Sequence, residues 1–327
     1  MTKTATFREA ESGTPFTDID PGTMPPFDPS AFRAEDGTAS RLADRLTREF
    51  FPLVPDLIDI KFKYEGIQAT DLFSLNTLLG STIENELVRC LNSNRRMWDP
   101  EGALPEYRFH RSSESFPDVR LAKHDGSTPV LGVELKSWFL LSKEGEPSFR
   151  YRTASAACAA ADLICVLPWY LNNAVSGKPI LTTPWTYPAK AASEFCKRHW
   201  TYLRHTDRPE TIESRGVDEP ANAAPYCDNR ESTNYRPRND PSGNFGRLSR
   251  TRLMDGFIKD ALKTEILGIP AESWMRFLKI HSEKKDFEKI RKEISGIMKI
   301  PESEKFRSLM SELKNIKDLI PPDVKTD

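Results

Sequence analysis

Two charged residues stand where a buried strand is expected. The stretch "SFPDVRLAKHDGSTPVLGVELKSW" runs from Ser115 to Trp138. Val130, Leu131, Val133, Leu135, Trp138 and Phe139 give it the apolar content of a core strand, yet Glu134 and Lys136 interrupt it with charge. Unpaired charges in such a place are costly, so they sit either on a solvated face or in a pocket where they do chemistry. Asp125-Gly126 is a turn dipeptide. A hairpin centred on Gly126 brings opposite one another residues whose numbers sum to about 252, which sets Asp118 beside Glu134. Lys136, two residues further along, projects to the same face. Two adjacent carboxylates repel each other unless a cation lies between them. An all-oxygen site of this kind suits Mg²⁺, which retains several waters of its own. A neighbouring lysine can orient one of those waters or support charge developing on a phosphate. Together these are the components of metal-assisted phosphodiester hydrolysis.

The surrounding elements must hold that hairpin in place. Leu72, Leu75, Leu79, Ile83, Leu87 and Leu91 recur every three or four residues, the period of an amphipathic helix, with Gly80 as a break or a point of close contact. "PEYRFHR" and "DVRLAKH" read as short strands and "PVLGVELKSWFLL" as a stronger one. "RYRTASAACAAADL" reads as a small-residue helix and "LICVLPWYL" as a buried central strand. The order helix, three strands, helix, strand predicts a mixed α/β layer structure.

In that setting, Pro117-Asp118 followed by Glu134-Leu135-Lys136 resembles the PD-(D/E)xK nuclease superfamily over roughly residues 70–171. The resemblance implies a restriction-endonuclease-like α/β core, a mixed central sheet flanked by helices, here carrying a polar loop-rich insertion and a helical C-terminal region. It implies that Asp118, Glu134 and the Leu135 carbonyl are ligands of Mg²⁺, that Lys136 positions the attacking water, and that Glu84 on the preceding helix assists the metal site. Glu86 is the rival of Glu84, because the rotation of the helix does not follow from sequence. The activity implied is endonucleolytic cleavage of double-stranded DNA of the Type II restriction kind. A homodimer would cut both strands of a palindrome, and a separate cognate methyltransferase would protect the host DNA. A structure-specific or repair nuclease with the same core is one alternative, and a non-catalytic DNA-binding protein with a vestigial core is another.

The remainder of the chain divides by composition. Residues 1–40 are rich in Pro, Asp, Thr and Gly and read as an extended or partly disordered arm. Residues 41–203 hold the core, with a first helix at "ASRLADRLTREFFPLV". Residues 204–247 are dense in Arg, Asn, Pro and Ser and have no sustained period; residues 248–327 return to helical patterns punctuated by Pro270 and Pro301. Arginine matches guanine edges and phosphates, and asparagine matches adenine edges. Arg230, Arg236, Arg238, Asn244, Arg247 and Arg250 are therefore the candidate DNA contacts, against the plainer reading of a hydrophilic loop. Trp138, Trp169 and Trp185 read as core or groove-lining residues, and Tyr187 and Lys190 as candidates for a groove wall. The Lys284–Lys292 stretch reads as the solvated face of a helix.

Composition narrows the class. A net charge of −1 over 327 residues excludes a globally basic nucleic-acid coat but leaves room for a local basic groove. No run approaches the roughly 18 apolar residues of a membrane span, and the N-terminus lacks a signal-peptide core, so no membrane partner and a cytoplasmic location are expected. No phosphate-cradling Gly-rich loop is present. Cys196-x-x-His199 with His205 and Cys227 can be drawn as a zinc site, but the spacing fits no common finger.

Overall fold

The computed structural model describes residues 27–32, 37–65, 75–112, 115–206, 217–227, 233–237 and 244–282. The arm before Phe27, Arg230, Arg238, Leu72 and everything after Ser282, the Lys284–Lys292 stretch included, lie outside the described residues.

A six-stranded mixed sheet forms the centre. Strands β1 (Tyr107–Arg111), β2 (Val119–Lys123) and β3 (Leu131–Phe139) make an antiparallel meander. Strand β4 (Leu163–Leu171) runs parallel to β3 and is buried over almost its whole length, as its unbroken apolar text requires. Along its other side β4 pairs antiparallel with β5 (Pro179–Leu181) at one end and β6 (Trp185–Pro188) at the other.

Helices cover both faces. The first helical stretch comprises α1 (Thr38–Arg45), a short run of tighter and wider turns, and α2 (Val54–Leu57). Helix α3 (Leu75–Ser93) buries Leu79, Ile83, Leu87 and Leu91, four of the six residues of the predicted stripe, against the sheet. Gly80 does not break it. A Cβ there would lie 2.8 Å from Ser137 Oγ, so the glycine lets α3 approach β3 closely. After α4 (Arg95–Trp98), the Trp98 ring meets Phe109 of β1 edge-on and its Nε1 donates to Leu91 O. On the opposite face, Trp138 contacts Phe257 of α6 (Asp255–Ala261). Helix α5 (Ala189–Thr206) follows β6 directly.

Two sequence expectations are corrected. The segment "RYRTASAACAAADL" is not a helix. It makes only isolated turns, at Ser155–Ala157 and Ala160–Ala161, and the backbone leading into them is claimed from outside: Tyr151 N–H donates to Gly246 O, Ala154 N–H to Thr233 O, and Arg152 O accepts from Tyr235 N–H. The polar region thus returns to the core through Tyr235 and Phe245, both buried. The second correction lies in "RLMDGFIKDALKTEILGI". Its helix ends at Ala261 and a hairpin follows, β9 (Glu265–Ile266) with β10 (Ile269–Pro270), before α7 (Ala271–Ser282). Gly268 at φ 76° supplies the backbone that the tight turn needs.

Asp162 ties several of these pieces together. It is 1% exposed. Its Oδ1 accepts from Gly132 N–H of β3 (2.7 Å) and Tyr226 O–H (2.9 Å), and its Oδ2 from Ala159 N–H (2.8 Å). Burial pushes its pKa up to about 6, against the pull of those donors and of Arg120. Asp162→Ala orphans three donors and should destabilise the fold by about 3 kcal/mol or more. The folded state takes up the Asp162 proton near pH 6 and the unfolded chain only near pH ~4. The stabilisation from this group is therefore full below about pH 4 and is lost as the pH rises through about 6. Urea midpoints of wild type and Asp162→Ala between pH 4 and 7 should converge as the pH rises; a constant gap would refute this assignment.

Candidate active site

The β2–β3 register pairs Val119 with Val133, Arg120 with Gly132 and Leu121 with Leu131. One further step along it sets Asp118 beside Glu134. Pairing stops there, and the two strands part. Leu135 and Ser137 then present their backbone N–H groups on the same bare edge of β3, and carboxylates take both. Leu135 N–H donates to Asp118 Oδ2 (3.1 Å), and Ser137 N–H donates to Glu84. Asp118 N–H donates in turn to Glu134 Oε2 (3.2 Å), so the two carboxylates are cross-braced through backbone amides. An extended residue directs its C=O to the same side as its N–H, so the Leu135 carbonyl faces this edge too. Glu134 is 5% exposed. Lys136 is half-buried and opens from the same face.

Glu84 reaches the edge from α3. Arg111 at the end of β1 holds it, Nη2 to Glu84 Oε2 at 3.2 Å, and fixes itself to Asn85 Oδ1 at 2.9 Å. Burial raises the pKa of the Glu84 carboxyl, and so does Asp118; Lys136, Arg111 and the Ser137 N–H oppose that rise. Glu86 points elsewhere and pairs with Arg89 at 2.8 Å. The helix rotation thus selects Glu84. Arg111, which the sequence reading did not single out, carried no signal: its role depends on the ends of β1 and α3 meeting.

The approach to Asp118 is tightly built. The Phe116–Pro117 peptide is cis. Pro117 lies over Gly132, where a Cβ would come within 2.0 Å of Pro117 Cγ and 3.0 Å of Asp162 Oδ1. Arg120 Nη2 donates to Phe116 O (3.0 Å) and Ser115 Oγ (2.8 Å), and Ser112 N–H donates to Asp118 O (2.6 Å).

Among the described residues no three His, Cys, Asp or Glu side chains are gathered into a metal cage. The donor set at the edge is two carboxylates and a carbonyl, with Glu84 beside them. It is all oxygen and anionic, and it fits a hard divalent ion that brings its own waters. It offers nothing to a soft metal. The Cys196–His199 pair does not build a zinc site either. Cys196 Sγ donates to Tyr151 O, and burial, with Arg252, pushes His199 down to about 4, which leaves it a neutral core side chain.

The expected DNA contacts are dispersed. Arg247 pairs with Glu144 (2.9 Å), and Arg250 pairs with Glu146 (3.0 Å) and also bonds to Asn244 Oδ1. These pairs fasten residues 244–250 to the loop after β3. Arg236 is exposed at the start of β8 (Arg236–Pro237), which pairs with β7 (Val217–Asp218). Trp138 and Trp169 are buried, whereas Trp185, Tyr187 and Lys190 are half-buried. A separate cleft of about 180 Å³ between α1 and β6 includes Asp44, Arg48, Asp162 and Tyr187 but none of Asp118, Glu134 and Lys136.

Comparison of the chain with protein-family models, with curated proteins and with solved structures finds no match.

The contact between Pro117 and Gly132 is testable by itself. Gly132→Ala forces the proline ring and the Asp118 backbone away from β3 and should cost about 1–3 kcal/mol, as overpacking does. Gly126→Ala is a useful contrast, since open space surrounds that Cβ and only its φ of 83° is strained. Equal urea midpoints for wild type and Gly132→Ala would show that Pro117 does not need the bare glycine.

Proposed function

We propose that this chain is a Mg²⁺-dependent endonuclease that hydrolyses phosphodiester bonds in double-stranded DNA, with a restriction-endonuclease-like core of the PD-(D/E)xK superfamily. The observation that carries the reading is the cross-braced Asp118–Glu134 pair, with Lys136 on the same face and Glu84 at the same open edge. Asp118 satisfies a backbone donor, but a buried Glu134 with a lysine two residues on adds charge that the backbone does not require. An apolar strand interior would be filled at less cost by the valines and leucines that surround them.

In this mechanism Asp118, Glu134 and the Leu135 carbonyl would hold Mg²⁺, which when bound supplies Lewis acidity to the phosphate and lowers the pKa of water. Backbone donors fix the Asp118 and Glu134 carboxylates in advance, so little reorganisation is needed when substrate arrives. The Lys136 ammonium orients the attacking water and offsets charge on the phosphate. Glu84 accepts a hydrogen bond from Ser137 N–H and, held by Arg111, takes part through water at the same edge. The proposed role is sequence-specific Type II restriction by a homodimer, with a separate methyltransferase as functional companion.

The test is cleavage of unmethylated genomic DNA with Mg²⁺, followed by sequencing of the ends. Asp118→Ala and Glu134→Ala should abolish cleavage and leave DNA binding intact. Lys136→Ala should lower the rate roughly 100- to 10,000-fold with little loss of affinity. A loss confined to affinity would reassign Lys136 to phosphate anchoring, and near-wild-type cutting by either carboxylate variant would sink the site. Recurrent ends at one sequence support restriction, and ends found only at flaps or mismatches support a repair role. Arg236→Ala, at an exposed position, should weaken DNA binding more than Arg247→Ala, which breaks an ion pair with Glu144; the reverse order would place the DNA nearer Arg247.

A further inference from the structure

The sheet register carries the active-site face across to a pair of aromatic rings. Lys136 is paired with Val166, and Val166 with Trp185; Glu134 is paired with Ile164, and Ile164 with Tyr187. Paired residues on adjacent strands share a face. Trp185 and Tyr187 therefore stand on the face of Glu134 and Lys136, two strands away, about 10 Å at the usual strand spacing. Their rings are stacked, with centroids 5.3 Å apart and planes 4° from parallel. Trp185 is backed by Phe257, at 6.4 Å, which in turn rests on Trp138. The pair is thus held rigidly on a laddered strand and wedged from one side. Trp98, Trp138 and Trp169 are each 1% exposed or less, whereas Trp185 and Tyr187 keep part of their surface in solvent.

We propose that the Trp185–Tyr187 pair is a stacking platform for an unstacked nucleobase of the DNA strand being cut. The inference rests on the nuclease reading above and adds to it what the substrate must present: a base out of its stack within a nucleotide or two of the scissile phosphate. Preordered aromatic faces bind bases with little regard to sequence, because every base has a π-face.

The experiment is a metal-free titration of the full chain with a short mixed-sequence single strand and with the matching duplex, read by intrinsic tryptophan fluorescence and by anisotropy of a labelled strand. Wild type should be quenched by the single strand. Trp185→Leu should lose that quenching and bind the single strand about five- to 100-fold more weakly, as removal of one stacked base predicts. Tyr187→Leu should weaken binding in the same direction, and Trp185→Phe, which keeps a ring, should stay within a few-fold of wild type. Leucine preserves apolar contact with Phe257, and a near-ultraviolet spectrum identifies any variant that has failed to fold; Tyr187→Leu, away from Phe257, then decides the matter. Wild-type affinity in both leucine variants overturns the platform. So does a change in sedimentation without a change in DNA binding, which would make the pair a contact between copies of the chain. Mg²⁺-dependent duplex cleavage by wild type without any response to single strands keeps the nuclease and removes the platform. A chain that neither cleaves nor binds DNA removes both.

Discussion

Where β2 leaves β3 beyond Val133, the N–H groups of Leu135 and Ser137 lose the partners that a continuing ladder would have provided. A buried backbone donor without an acceptor is costly, so something must replace the missing strand. Here the replacements are the carboxylates of Asp118 and Glu84. Much of the site follows from that substitution. It fixes the direction of Asp118, draws α3 close enough for Glu84 to reach the edge, and concentrates negative charge beside Lys136. The same interaction that completes the fold thus preorganises the acids.

Close contacts elsewhere keep that edge in position. Gly132 has no side chain, so Pro117 can lie against β3, and the next residue in the chain is Asp118. The N–H of Gly132 is held by Asp162, whose other partners are the turn at Ala159 and the hydroxyl of Tyr226. Arg120 stands over the Tyr226 ring, with its guanidinium 5.8 Å from the ring centroid, and donates to Phe116 O. Residues distant in sequence therefore converge on the few backbone atoms that set Asp118. The polar region takes part in this directly, since Tyr226, Tyr235 and Phe245 all contribute to the packed interior or its edge.

Charge in the polar region divides into two kinds. Arg247 and Arg250 are committed to Glu144 and Glu146 and hold one loop against another. Such partly exposed pairs add little stability individually. Arg236 is exposed on a short strand. Composition does not reveal which arginines are tied to Glu144 and Glu146, because a paired arginine and an exposed one have the same sequence signature.

What the sequence by itself determined was local and periodic. The turn at Asp125-Gly126, the alternation of β2 and β3 and the three-four spacing of Leu79, Ile83, Leu87 and Leu91 are short-range signals, and the observed register and helix follow them. They sufficed to set Asp118 opposite Glu134 with Lys136 on the same face. Only tertiary structure chose Glu84 over Glu86, added Arg111, and aligned Trp185 and Tyr187 with the acidic row. Each of these depends on how a helix rotates or on which strands become neighbours. Helical propensity misled at "TASAACAAA", where alanine-rich text makes isolated turns, and Thr233, Tyr235 and Gly246 hold the backbone leading into it by hydrogen bonds from elsewhere in the chain. The physical reason is the same throughout: propensity and period report on a residue's own neighbourhood, whereas an acceptor or ring from a distant part of the chain changes the balance only once the fold has formed.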